Sequence, residues 1–406
     1  MKSIQIKILS SLLFLCVSIT SCGGGAVAVK PAMNEISSDQ SKAEGASDPT
    51  ALKDDGTKTL KEKVEKKKAP SKYGRLKKRK VPSRPRANPV TSKAFADNLL
   101  AVRKKEADRF LKQGAAPDTI AANGEPVLYT ALRVGFLDIA DKLVLYGANV
   151  NATNRDGRTA LHLAIDKGNA NFVRLLLENG ANANKSSNSG ETPLLMAIQK
   201  GRPGIVKSLL YYRADPNKSG KGGNPLHLAI EKSQVASVDQ LLKFGANPNT
   251  GSQKGSPLQI VLKSGNVKIA ELLARHGGNV NITNGIGETL LHTAAGKGQA
   301  GFAAILLDNG ANVNARDKYS ETPLHEAAAK GRLNVVKLLL SRGADLNAKT
   351  EKNWTALHEA ARFGYPKTVA YLVSQGLSKN TTNSDGNTPK GLAKHLNHGE
   401  VIQVLR

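Results

Sequence analysis

Histidine is a residue type that could hold a metal or move a proton, and five of the eight in this 406-residue chain, His162, His227, His292, His325 and His358, share one sequence setting. Their spacing speaks against both. A zinc site gathers three or four ligands, usually with two of them close in sequence. Here the five lie 33 or 65 residues apart, one in each of five similar stretches, so they do not converge on one ion. Cysteine offers no more: the chain has two, Cys16 and Cys22, both near its start. No nucleophile–base motif, phosphate-cradling glycine loop or pair of carboxylates at catalytic spacing appears. The expectation is a protein with no catalytic residues, no metal and no cofactor.

The histidines belong to a longer pattern. Thr322-Pro323-Leu324-His325 recurs as Thr355-Ala356-Leu357-His358, Thr159-Ala160-Leu161-His162, Thr192-Pro193-Leu194-Leu195 and Thr289-Leu290-Leu291-His292. Worn copies are Asn224-Pro225-Leu226-His227, Ser256-Pro257-Leu258-Gln259 and Thr388-Pro389-Lys390-Gly391. One unit reads directly. Thr322 suits an N-cap, and Pro323 the first helical position, where its missing donor costs nothing. Leu324, Ala327 and Ala328 give a short helix a small apolar face, and Gly331 ends it. A second helix is expected at about 334–342, with Gly343 as its left-handed cap. Residues 347–354 carry turn chemistry and predict a projecting, β-hairpin-like finger. Neither short helix is stable alone, so units must stack.

On these residues the chain resembles the ankyrin repeat family, with its T-P-L-H-x-A core. The resemblance covers roughly residues 90–406 and implies an all-α ankyrin repeat solenoid. Ten units start near Val90, Asn123, Asp156, Ser189, Lys221, Gln253, Ile286, Tyr319, Lys352 and Asp385. The first has lost the motif, and the last keeps its Thr388-Pro389 but has Lys390 and Gly391 in place of Leu and His, as terminal caps with one face toward water would. Two central units are irregular. Their turns are Gly/Ser-rich, Arg213 stands where a capping glycine belongs, and Ser233 replaces the glycine that ends a first helix. The resemblance further implies that the histidine bonds to a neighbouring backbone and that partners bind on a concave face made of fingers and first helices.

Carried over by motif position, that face holds a ladder of lysines just before the first-helix glycine or Ser233: Lys167, Lys200, Lys232, Lys297 and Lys330. Stacked units would space them about 8–10 Å apart. Val134, Ser264 and Phe363 interrupt the row. Glu326 belongs to the same exposed side, Tyr319 and Glu321 to a finger, and Trp354 to the root of the next; tyrosine and tryptophan are favoured binding anchors. Residues 87–406 hold 40 Lys or Arg against 25 Asp or Glu. The expected partner is therefore an acidic protein.

The N-terminus has its own reading. Lys2 and Lys7 precede an apolar run, 8–20, too short to span a bilayer, which predicts a secretory signal over residues 1–21. Ile19-Thr20-Ser21-Cys22 resembles a bacterial lipobox, which implies lipidation of Cys22, anchoring in the cell envelope, and outer-membrane sorting. Cleavage there removes Cys16 and leaves no free thiol. Residues 22–89 read as a disordered tether. Within it, residues 61–86 hold thirteen Lys or Arg against Glu62 and Glu65, a segment suited to anionic envelope surfaces. Tyr73 alone offers a ring for base stacking, so nucleic acid is not an expected partner. The run Lys77–Val81 also resembles a nuclear localisation signal, which leaves a host-directed effector as an alternative, beside a polyanion or cell-wall binder.

Overall fold

The computed structural model describes residues 86–406. Cys22, the signal segment 1–21 and the tether, with the polybasic segment up to residue 85, lie outside the described residues. The rest forms twenty helices in ten antiparallel pairs. The first five pairs are α1 (Pro89–Leu100) and α2 (Lys104–Lys112), α3 (Val127–Arg133) and α4 (Leu137–Leu145), α5 (Ala160–Lys167) and α6 (Ala170–Glu178), α7 (Pro193–Gln199) and α8 (Pro203–Tyr211), α9 (Pro225–Glu231) and α10 (Val235–Lys243). The second five are α11 (Pro257–Ser264) and α12 (Val267–Arg275), α13 (Leu290–Lys297) and α14 (Ala300–Asp308), α15 (Pro323–Ala329) and α16 (Leu333–Ser341), α17 (Ala356–Arg362) and α18 (Pro366–Ser374), α19 (Pro389–His395) and α20 (Gly399–Val404).

Odd-numbered helices stack on one another as one layer, and even-numbered helices from α6 onward as a second. The core runs between the layers. Leu324, Ala327 and Ala328 on α15 meet Val335, Val336 and Leu339 on α16, all buried, and the same positions repeat along the stack. The first unit reveals a cap that the lost Thr-Pro-Leu-His had hidden. Asn88-Pro89 replaces Thr-Pro, and the Asn88 side chain accepts from the Val90 and Thr91 amides.

The fingers are hairpin-like without forming strands. Among the described residues there is no strand; isolated bridges such as Thr153 with Thr159 and Thr283 with Thr289 are all that remains of a hairpin. A side chain adds to the backbone bond from Asp317 N to the Glu321 carbonyl at 3.1 Å. Asp317 Oδ1 accepts from Tyr319 N at 2.9 Å and Glu321 N at 2.8 Å, closing the turn before a ladder can form. Asn154, Asn284 and Asn383 do the same in their fingers.

Three sets of bonds join unit to unit. An asparagine ladder runs along the turns after the even helices: Asn314 Nδ2 donates to the Gly343 carbonyl at 3.2 Å while its Oδ1 accepts from Asp345 N at 2.8 Å. Equivalent bonds run back through Asn281, Asn249, Asn217, Asn184 and Asn151. Finger-to-finger backbone bonds form a second set, including Asn188 N to Asp156 O, Lys318 N to Ile286 O and Glu351 N to Tyr319 O. Among the described residues none joins the finger of Gln253 to either neighbour. The third set is made by the histidines.

Arg213 and Ser233 do occupy the left-handed region, at φ of 64° and 53°. A side chain there is strained where glycine would be at ease.

Candidate partner-binding surface

The motif histidine explains its own conservation of geometry from unit to unit. Thr322 N–H donates to His325 Nδ1 at 3.2 Å, and the Thr322 hydroxyl lies 2.8 Å from the same nitrogen. His325 Nε2 stands 3.1 Å from the Trp354 carbonyl, 29 residues on. A carbonyl can only accept, so Nε2 carries the proton and the ring is neutral. Burial pushes His325 down to about 4, with the Trp354 and Ala348 carbonyls opposing. His292 and His358 make the same link to the Glu321 and Asn387 carbonyls. His162 Nδ1 binds Thr159, but its Nε2 finds no partner. His227 has neither bond at ordinary hydrogen-bonding geometry: Asn224 caps its helix through the Leu226 and His227 amides instead, and the Gly255 carbonyl faces the ring from farther off. His292, His325 and His358 are thus spent on holding units together. Among the described residues no three His, Cys, Asp or Glu are placed to hold a metal ion.

With the histidines buried, the exposed sides of the odd helices and the fingers remain for partners. Lys167, Lys200, Lys232, Lys297 and Lys330 are all exposed. They are not equivalent. Lys200 Nζ is paired with Asp166 of the preceding unit at 2.7 Å, which holds that carboxyl below its usual range. Lys330 lies over the Phe363 ring at 6.0 Å. Lys297 lines a recess of about 370 Å³ between the fingers and α11 and α13, together with Lys254, Lys263 and Glu288.

The recess has a packing origin. α11 and α13 make the sparsest contact of any successive odd helices, and α13 and α15 the closest. Where α13 and α15 meet, the motif positions hold Ala294, Ala295 and Gly296 against Ala327, Ala328 and Ala329. On α11 the same positions are Val261, Leu262 and Lys263. Larger side chains hold the helices apart.

The face is not uniformly basic. Glu321, Glu326 and Trp354, singled out from the sequence, come together over α15 and α17, and two carboxylates join them that the sequence reading passed over, Glu359 and Glu288; the Tyr319 ring faces Lys318 instead, at 4.7 Å. Glu359 was visible in principle, since Leu357-His358-Glu359-Ala360-Ala361 repeats Leu324-His325-Glu326-Ala327-Ala328 one unit later. Glu359 is only 8% exposed. Burial, then the nearby Glu321, pushes its carboxyl up to about 7. Burial also raises Glu321, helped by Asp317 and Glu326, and raises Glu326 against the pull of Lys330. The nearest cations are turned elsewhere: Arg362 lies 5.1 Å over Trp354 and 5.2 Å over Phe363. Trp354 is half-buried and gives its carbonyl to His325, so it is part framework; Tyr319 is 50% exposed.

A two-layer array of helix pairs, its polar residues used to lock units and its variable residues displayed on one face, defines a repeat scaffold. Family models for ankyrin repeats match residues 99–187, 127–220, 171–252, 194–284 and 258–350 as three-copy spans, and 352–384 as a single repeat. The chain belongs to the ankyrin repeat family, whose members are protein-binding scaffolds and generally not catalysts. No curated protein matches it. No described helix is long and apolar enough to cross a membrane.

Proposed function

We propose that the chain is a lipid-anchored bacterial envelope scaffold. Cys22 carries the lipid, the basic segment 61–86 lies against anionic envelope surfaces, and the array captures an acidic protein segment on its concave face. The observation that carries the binding reading is the exposed lysine row, above all Lys167, Lys232 and Lys297, which form no ion pair among the described residues. Of the alternatives, the effector reading requires release from the membrane.

Two measurements test this. Acyl labelling should mark the wild type and fail on Cys22→Ser, which should leave the membrane fraction; equal labelling of both removes the anchor. Hexaglutamate should bind the full chain with an affinity that falls with added salt. Reversing Lys167, Lys232 and Lys297 to Glu together should weaken it at least about tenfold. Unchanged binding would show that the lysines are not the contact.

A further inference from the structure

Glu359 stands out among the charged residues of the array. It is 8% exposed and its carboxylate makes no hydrogen bond or ion pair among the described residues, while its oxygens still reach the surface. A carboxylate so far withdrawn from water, with no cation paired to it, is costly to keep charged and open to a cation from outside. The charged groups that face it are Glu321, Arg362, Glu326 and Lys330. Glu326 is held close by a missing side chain: a Cβ on Gly296 would stand 2.5 Å from Glu326 Oε1, so the carboxylate lies in the space that glycine leaves. Glu288, one finger earlier, is engaged by Asn284 Nδ2 at 2.7 Å. Three carboxylates therefore converge with none of the available cations in an ion pair with them.

We propose that Glu321, Glu326 and Glu359 form a socket for one lysine or arginine side chain of the bound protein. The inference rests on the scaffold reading and adds to it: the segment that lies along the face is acidic over the central units and presents a cation at α15 and α17. Charge selects this occupant. The array carries 40 basic against 25 acidic residues over 87–406, so a cation is not drawn to it generally, and only a place with locally reversed sign retains one. The three carboxylates are not arranged as a metal set. The depth of Glu359 suits a long aliphatic stem with a charged end.

Trp354 is the single tryptophan of the chain and lies at the socket, with its ring 5.9 Å from that of His358 and 5.1 Å from Arg362. Its emission reports occupancy. The full chain is titrated at pH 8 with acetyl-Gly-Lys-Gly-amide, acetyl-Gly-Arg-Gly-amide and acetyl-Gly-Glu-Gly-amide. The two cationic peptides should change Trp354 emission saturably, with dissociation constants on the order of millimolar, and the acidic one should not. Glu359→Gln and Glu326→Gln should each weaken the cationic peptides about fivefold or more, as should Gly296→Ala, which evicts the Glu326 carboxylate while keeping its charge. Binding should weaken from pH 8 to pH 5 as Glu359 takes up a proton. An equal response to the acidic peptide, or affinities unchanged in all three variants, would overturn the socket. So would the same emission change from magnesium chloride at matched ionic strength. Cationic peptides failing while hexaglutamate binds sinks the socket and leaves the scaffold standing; the reverse outcome removes the lysine row and keeps the socket.

Discussion

Two stretches of the same array are built to different standards. From Thr289 to Phe363, each unit is tied to the next by a histidine, a finger-to-finger backbone bond and close-packed small residues on the odd helices. From Lys221 to Gly265, the histidine link is missing: His227 has unbonded ring nitrogens and Gln259 turns back to its own Ser256. The finger of Gln253 makes no backbone bond to either neighbour among the described residues, and α11 stands off from α13. Only the asparagine ladder crosses both stretches without a gap. The contrast shows that a repeat motif specifies a unit far more firmly than it specifies a junction.

Replacing each histidine by a similar-sized apolar residue should expose the contrast most strongly. His325→Leu strands the Thr322 and Trp354 backbone groups and should cost about 2–4 kcal/mol. His227→Leu breaks no bond and should change stability by less than about 0.5 kcal/mol, or raise it. Urea denaturation of the two variants measures the difference, and equal losses would dissolve the comparison.

Acid–base behaviour separates the stretches next. The Glu359 carboxyl is raised in the fold, so the folded state holds its proton longer than the unfolded chain does. Stability from this group is complete below about pH 4.5 and is lost as pH rises through about 7, a change on the order of 3 kcal/mol. Glu359→Gln should remove that loss, stabilising the protein at pH 8 and not at pH 4.5. His162 and His325 act in the opposite sense. Both are lowered to about 4 from 6.5, so their contribution is present above about pH 6.5 and disappears as pH falls through about 4. Thermal melts of wild type and Glu359→Gln across pH 4–8 check both limbs.

Smaller effects belong to the irregular centre. Arg213→Gly relieves a left-handed arginine and should stabilise by about 1 kcal/mol, visible as a rise in midpoint. Lys200→Ala breaks an exposed pair with Asp166, and the change should stay within about 0.5 kcal/mol. A larger loss there would mean that the lysine row also holds units together.

Much of this architecture was legible because each unit's signals are local. Thr322, Pro323, Gly331 and Gly343 act within a few residues of themselves, and the helices formed where those residues placed them. The strained positions of Arg213 and Ser233 were legible for the same reason. The fingers are hairpin-like, as their turn chemistry implied, but the bonds by which Asp317 and its equivalents hold the turn amides through a side chain are not revealed by alternation of residue types. The site was half legible. Lysines at one motif position do form an exposed row, but a count of charges over the array hides the local excess of carboxylate at Glu321, Glu326 and Glu359. That excess arises where three residues from two units meet, and it depends on how closely the odd helices approach, which Gly296 and the neighbouring alanines decide.

The asparagine ladder, continuous from Asn151 to Asp345, runs at the roots of the fingers, where each even helix hands over to the next turn, like the stitching along a book's fold. The pages at Gln253 are free at their outer edge and fixed at the spine. The row from Lys167 to Lys330 and the carboxylates over α15 and α17 are therefore carried on one chain whose units are stitched to one another even where the fingers are not.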